Sequence, residues 1–524
     1  MTKAIHKSIY IKACGFLLLY AFLSGCSKKV TQQFTTKVTA PKREFRAVWV
    51  ATIDNIDFPS RKGLPSETQQ QEYRNILDSH RKVGVNAVLV QVRAASDAFY
   101  ARSVEPWSEW LMGEQGKAPE PYYDPMRFMI EETHQRNMEF HAWLNMNRGT
   151  HKVSKSIAKD HITNTKPHWF VAYNGYKFYN LGIPEVRKYI TDIVVNIVKY
   201  YDVDGIHFDD YFYPYPVAGE KFRDEETFKK YGQGFKNIDD WRRNNVDLIV
   251  KEIGEAIKKE KPKVKYGISP FGVWRNASSD PAGSQTQGGQ SSYDNLYADT
   301  RKWVQKGWVD YIAPQIYFSF EFDKVPYKNL VDWWVKNAHS KHVYIGHGSY
   351  RVLANSKEKG WNDMTQIPRQ IRYNRLLKPI SGSIFFSSKS LIKNELGFSD
   401  SLRNFYKYPA LMPTMPWIDN IPPNPPANVK VKPIADLGVA VTWELPQQPP
   451  KDGDEVSAFV VYRFDENEVI NTENPARIAQ IVRNEGLLNF VDRNPNPNKK
   501  YVYVVTALDR LHNESKPSNS VSLK

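Results

Sequence analysis

The sequence predicts an α/β protein, a (β/α)8 TIM barrel followed by a small all-β unit, and three observations carry that reading. Eight short apolar runs recur between residues 43 and 408, the strand number of such a barrel. Stretches of helical period separate most of them. Around Pro422 the composition turns to IPPNPPANVKV, a proline-rich linker that cannot continue a helix, and a purely β pattern follows it.

The 524 residues are 41% hydrophobic, 13% aromatic and 25% charged, the balance of a globular chain rather than a disordered or membrane-spanning one. Residues 1–25 stand apart from the fold. Lys3, Lys7 and Lys12 precede an apolar run from Ala13 to Leu23, too short to span a bilayer but suited to a secretory signal. The run ends in Leu23-Ser24-Gly25-Cys26, which resembles the lipobox of bacterial lipoproteins, so Cys26 is expected as the lipidated N-terminus of an envelope protein. Cys14 would leave with the signal, and no disulfide or thiolate metal site is then expected. Residues 26–42 are polar and aperiodic, a tether. No acidic cluster follows Cys26, which favours a periplasm-facing anchor over surface display.

The barrel strands are expected, in order, at Phe45–Thr52, Ala87–Arg93, Glu139–Met146, Gly205–Asp210, Lys265–Phe271, Tyr311–Tyr317, His342–Gly348 and Gly382–Ser388. Between the third and fourth, Val186, Ile190, Ile193, Val194, Ile197, Val198 and Tyr201 fall at spacings of three and four, an amphipathic helix. A doubly wound sheet would alternate likewise, but no Gly-rich phosphate turn follows the first strand, which favours the closed barrel. The barrel thus occupies 43–408 and the linker 409–426. Residues 427–524, with Trp443 in VAVTWELP, Tyr462 in AFVVYRF and the run YVYVVTALDR from Tyr501, resemble a fibronectin type III sandwich, a module that spaces or binds.

Barrel chemistry sits at the C-terminal ends of the strands. In the fourth run, DGIHFDDY, alternation sends Ile206 and Phe208 to the helices and His207 and Asp209 into the barrel, with Asp210 at the turn and Tyr211 beyond. Other strand ends supply Gln91 and Arg93, with Asp97 just after, then His141, Trp143, Asn145, Gln315, Tyr317 and His347; Trp274 and Arg275 lie in the loop after the fifth. Amides, carboxylates and Arg suit sugar hydroxyls, and aromatic faces suit sugar C–H surfaces. The candidate catalytic residues are therefore Asp209, Asp210 and Asp97. The other amides, Arg, His and aromatic residues are candidates for binding a glycan.

FRAVWVAT, QVR with DAFY and PWS, HAWLNMNR, VDGIHFDDYFYP, SPFGVWRN and WVDYIAPQIYF resemble, in the same order, the glycosyl hydrolase-like 10, or YngK-like, family of bacterial envelope proteins. The resemblance covers about residues 43–408 and implies a glycoside hydrolase, whose characterised relatives act on peptidoglycan strands stripped of stem peptides. The Asp-Gly-x-x-x-Asp run is also similar to that of α-amylase-like barrels. That similarity would make Asp209 the nucleophile, with His207 where those enzymes place an Arg. No Glu follows the fifth strand in SPFGVWRN, so the acid is unassigned; Asp97 and Asp210 lead, with Glu321 and Asp54 behind.

Two rival readings remain open. His207-x-Asp209-Asp210 could hold a cation in a metal-dependent polysaccharide deacetylase, although His342 and His347, at odd spacing, face opposite ways and cannot supply the missing ligands together. A non-catalytic glycan-binding lipoprotein would also use the aromatic loops. No cofactor or metal is expected. The net charge of +15 favours an anionic partner, here a glycan or anionic lipid at the membrane rather than nucleic acid, and a protein partner is conceivable for the C-terminal module.

Overall fold

The computed structural model describes residues 39–523 except 494 and 497. Cys26, the expected signal segment and most of the expected tether lie outside the described residues. The eight apolar runs form a closed barrel of parallel strands: β1 (Phe45–Val50), β2 (Ala87–Arg93), β3 (Glu139–Leu144), β4 (Gly205–Phe208), β5 (Lys265–Ile268), β6 (Tyr311–Ile312), β7 (His342–His347) and β8 (Ile380–Phe385). Pairing of β1 with both β2 and β8 closes the ring. A helix follows every strand: α1 (Ser66–Val83), α2 (Pro125–Gln135), α3 (Pro184–Tyr200), α4 (Ile238–Glu260), α5 (Thr300–Gln305), α6 (Tyr327–Lys336), α7 (Gln366–Asn374) and α8 (Phe398–Phe405). In α3, Pro184 opens the first turn, where its missing N–H costs nothing, and the residues from Val186 to Val198 at spacings of three and four are buried.

Strand alternation sorts side chains into two cores. Val48, Val90, Phe140, Ile206 and Phe208 meet the helices, while Phe45, Trp49, Leu89, Trp143, Tyr311 and Tyr344 fill the lumen. These large lumen groups need gaps opposite them. A Cβ on Gly205 would stand 2.5 Å from His141 Nδ1, and one on Gly267 would collide with the Tyr311 ring.

A hydrogen-bonded chain descends through the lumen. Trp49 Nε1 donates to His207 Nε2 (3.2 Å), leaving the imidazole proton on Nδ1, which faces the Tyr311 hydroxyl at 3.0 Å. Tyr311 in turn meets His141 Nδ1 (2.9 Å), and His141 Nε2 donates to Glu139 (3.0 Å). The chain ends on the buried ion pair of Glu139 with Lys265.

The C-terminal residues form two antiparallel sheets: β9 (Ala427–Ile434), β10 (Gly438–Glu444) and β13 (Asn489–Asp492) in one, and β11 (Ala458–Asp465), β12 (Ile478–Arg483), β14 (Tyr501–Leu508) and β15 (Val521–Ser522) in the other. Trp443 packs on Phe459 between them, with ring centroids 5.4 Å apart. Tyr462 is not in that core. It lies on the other face of β11, with Val460, Phe464 and Leu411, because this sheet is buried on both sides.

Its second face sits on the N-terminal end of the barrel. Arg510 reaches Asp202 (2.5 Å), the Val203 carbonyl (3.0 Å) and Asp204 (3.4 Å); Arg483 meets His134 Nδ1 (3.2 Å); and Lys42 bridges Glu514 (2.5 Å) and Glu473 (2.9 Å). Many contacts therefore join the barrel to the C-terminal sheets. Within the stretch read as linker, Met412 and Met415 enter the lumen core from below, and Trp417 Nε1 bonds Asp310 (3.1 Å), so this segment plugs the barrel floor.

Candidate active site

A cavity of about 240 Å³ opens at the C-terminal end of the barrel, and Asp209 and Asp210 are the only carboxylates lining it among the described residues. Both come from the end of β4, where the strand ladder stops at Phe208 and two acidic residues follow. Asp209 continues the inward parity of Gly205 and His207. Its Oδ2 accepts from Trp143 Nε1 (3.2 Å) and from Asn145 Nδ2, and its Oδ1 from the Tyr211 amide (3.4 Å). Asp210 Oδ1 accepts from Gln315 Nε2 (3.0 Å), and its Oδ2 from the Tyr215 hydroxyl.

Burial disfavours the charged form of both carboxyls, and the negative charge of Asp210 adds to the effect on Asp209. Asp209 is pushed up to about 7 and Asp210 to about 6. The Arg148 guanidinium opposes both shifts.

The other walls come from seven strand ends. Gln91 accepts from the Thr52 and Ile53 amides (3.0 and 2.9 Å) and donates to Asn145 Oδ1 (2.6 Å), which fixes the amide that holds Asp209. Gln315 also bonds the Ser269 carbonyl (2.9 Å), tying β6 to β5 beneath Asp210. Trp49, Trp143, Tyr317 and Phe386 form apolar walls, and Ile56 and Tyr350 stand at the rim, Tyr350 with 45% of its surface exposed.

Arg148 was not anticipated as a site residue, although it ends the motif HAWLNMNR. It begins a small three-stranded sheet (residues 148–150, 170–173 and 176–179) inserted between β3 and α3, which returns its side chain to the mouth. There it lies over the Tyr211 ring (4.4 Å) and reaches Asn145 Oδ1 (3.4 Å), while its Nε has no hydrogen-bond partner among the described residues.

Several expected site residues serve the scaffold instead. His207 lies beneath the cavity, not in its wall. Both its nitrogens are engaged, and burial pushes its pKa well below the usual value, so it is a neutral floor residue and cannot stand in for an Arg. Arg93 leaves the lumen because the register shifts between Gln91 and Arg93, pairing Arg93 with the outward Leu144. It forms a bidentate pair with Glu105 (2.6 and 2.7 Å). Asp97 caps its own turn, accepting from the Ala94 and Ala95 amides (3.2 and 3.0 Å) and from Ser108 Oγ (2.6 Å).

Trp274 bonds Asp299 (3.0 Å) and stacks on Trp333, and Arg275 pairs with Asp280 (2.9 Å) and Asp294 (2.8 Å), so both order the loop after β5. His347 faces the helices, bonded to Gln370 (2.8 Å) and Ser383 (3.0 Å). Glu321 pairs with Arg369, and Asp54 is exposed, both away from the cavity wall. The structure thus brings together Gln91, Asn145, Asp209, Asp210, Tyr211, Gln315 and Tyr317.

The histidine–carboxylate cation site of a deacetylase is not assembled here: among the described residues no histidine lines the cavity, and the one sequence-adjacent imidazole has no free lone pair. The one cluster of three or more such ligands close enough to hold an ion among the described residues, Asp419, Asp452 and Asp454, lies elsewhere, where Asp454 pairs with Lys263.

A sequence profile described as glycosyl hydrolase-like 10 matches residues 44–363. The chain is 46% identical over 485 residues to "Glycosyl hydrolase YngK" of Bacillus subtilis (strain 168), covering 91% of this chain and 92% of that protein. It is 38% identical over 423 residues to "Glycosyl hydrolase DigH" of Escherichia coli (strain K12), covering 74% and 95%. Among solved structures, the PgaB (BpsB) glycoside hydrolase domain from Bordetella bronchiseptica aligns with 71% of this chain and 100% of its own, at 12% identity and a TM-score of 0.44.

Proposed function

Because the chain belongs to the glycosyl hydrolase-like 10 family, we propose that it is an active glycoside hydrolase of the cell envelope, cleaving glycosidic bonds in peptidoglycan strands that lack stem peptides. The observation that carries the catalytic half of this reading is the Asp209–Asp210 pair, buried side by side in the cavity with both acidities lifted toward neutrality. Glycoside hydrolysis needs one carboxyl that still holds a proton for the leaving oxygen and one charged group to support an oxocarbenium-like transition state. Two adjacent carboxyls raised to about 7 and about 6 meet both needs, since between those values one holds a proton while the other is charged.

The substrate half rests on the family resemblance and on the walls. Tyr350, Tyr211 and Trp143 present faces for sugar rings, amides of Gln91, Asn145 and Gln315 surround the acids, and Arg148 offers a cation unmatched by any carboxylate in salt-bridge range among the described residues. Stripped strands carry free lactyl carboxylates that such a cation can read. Lipidation at Cys26 would hold the enzyme at the membrane facing the periplasm.

Mass spectrometry of products from stripped peptidoglycan, with and without a chelator, tests the whole. Shortened N-acetylated glycans, unaffected by chelator, are expected. Chelator-sensitive loss of acetate would establish a deacetylase. Intact strands that nonetheless bind would establish a non-catalytic lectin.

A further inference from the structure

We propose that the nucleophile of this site is not a protein carboxylate but the 2-acetamido group of the substrate's own sugar, oriented by Asp209 and Tyr317, while Asp210 is the general acid and base. The inference rests on the glycosidase reading above and specifies its mechanism. Its first support is the distribution of acids. In a two-carboxylate mechanism the groups flank the scissile bond from opposite sides. Here both come from consecutive residues at one strand end, and the facing wall of Tyr317, Tyr350 and Phe386 is aromatic. The other acids near the mouth are committed: Asp97 to its turn, Glu105 to Arg93, Glu321 to Arg369.

The second support is the shape of the donors. Asp209 Oδ2 already takes two N–H donors, whereas Oδ1 has only a long 3.4 Å amide contact and can accept one more. An acetamide N–H is such a donor, and by bonding the charged form of Asp209 it reverses the order of the free site, so that with substrate bound the proton of the pair rests on Asp210. The Tyr317 hydroxyl makes no hydrogen bond among the described residues, although its ring is held against Phe386 in the cavity wall. It can donate to the acetamide oxygen, and the Trp49 and Phe386 faces can take the methyl group.

The step balances without any further reagent. The acetamide oxygen attacks C1 as the C1–O bond to the leaving sugar breaks, and the proton on Asp210 passes to that leaving oxygen. The resulting oxazolinium keeps its N–H on the Asp209 carboxylate. Water then attacks C1, gives its proton back to Asp210, and the C1–O bond to the acetamide breaks, restoring the acetyl group and retaining the anomeric configuration.

The test uses the full chain and stripped strands whose amino groups carry acetyl, fluoroacetyl or difluoroacetyl. Fluorine weakens the amide oxygen as a nucleophile without changing the leaving group. Turnover is expected to fall with each fluorine, by about a hundredfold over the series, since the intramolecular nucleophile supplies much of the acceleration. Tyr317→Phe should lower kcat by about tenfold or more with KM little changed, as loss of a preorganised donor does. Turnover that ignores fluorine would overturn the inference and return the nucleophile to Asp209, leaving the glycosidase reading intact. No cleavage of the acetylated strands at all would overturn both.

Discussion

Asp209→Asn should abolish turnover and at the same time stabilise the folded chain at alkaline pH. The carboxyl is raised from its ordinary 3.8 to about 7, so between those values the unfolded chain is ionised while the folded chain keeps a proton. Stability is lost as pH rises through this window and the full penalty stands above it; each tenfold in proton affinity is worth ~1.4 kcal/mol, giving about 4 kcal/mol at pH 8. Asparagine keeps the size, and its amide oxygen can still accept from Trp143 and Asn145, so little is lost in exchange. Chemical denaturation of both proteins at pH 4 and pH 8 is the assay. The variant should match the parent at pH 4 and exceed it by a few kcal/mol at pH 8, while cleavage of stripped strands collapses. A variant less stable than the parent at pH 8, or an offset that does not change with pH, would refute the claim that burial of this charge is costly and retained for catalysis.

The pH–rate profile should be bell-shaped with limbs set by the pair, at about 6 and about 7, and Arg148→Met should move both limbs to higher pH, because that cation holds both carboxyls down; limbs that stay put would remove Arg148 from the electrostatics of the site. Arg510→Ala should cost ~1–2 kcal/mol in chemical denaturation, from the lost bonds to Asp202, Val203 and Asp204, discounted for partial exposure. Removal of the chain from Pro422 onward should cost more, since it uncovers the barrel floor; unchanged stability in both would mean a loosely held module. Cys26→Ala should release the protein from membrane fractions in cell fractionation, and unchanged retention would exclude the lipid anchor.

Strand number, strand order and the two faces of each strand were legible in the sequence because hydrophobic alternation is a local property. Ile206 and Phe208 against His207 and Asp209 needs no knowledge of what lies across the barrel. Parity, however, says only that a side chain points inward, not at what height along the axis or to which partner. His207 and Asp209 share a face, yet one is a neutral link in a buried chain and the other lines the cavity, because Trp49 and Ser269 close over the first while Tyr311 engages it from beneath. Arg93 and Asp97 looked equally placed for chemistry. A one-residue register shift turned Arg93 toward Glu105, and three local donors consumed Asp97. Arg148 and the seating of the C-terminal sheet on the barrel floor depend on an inserted sheet and on long-range ion pairs such as Arg510 with Asp204, contacts between residues far apart in the chain. Local pattern thus determined the scaffold and named the acidic pair, whereas only tertiary packing decided which polar groups keep a free valence for substrate, since that depends on how many partners each buried group has already found.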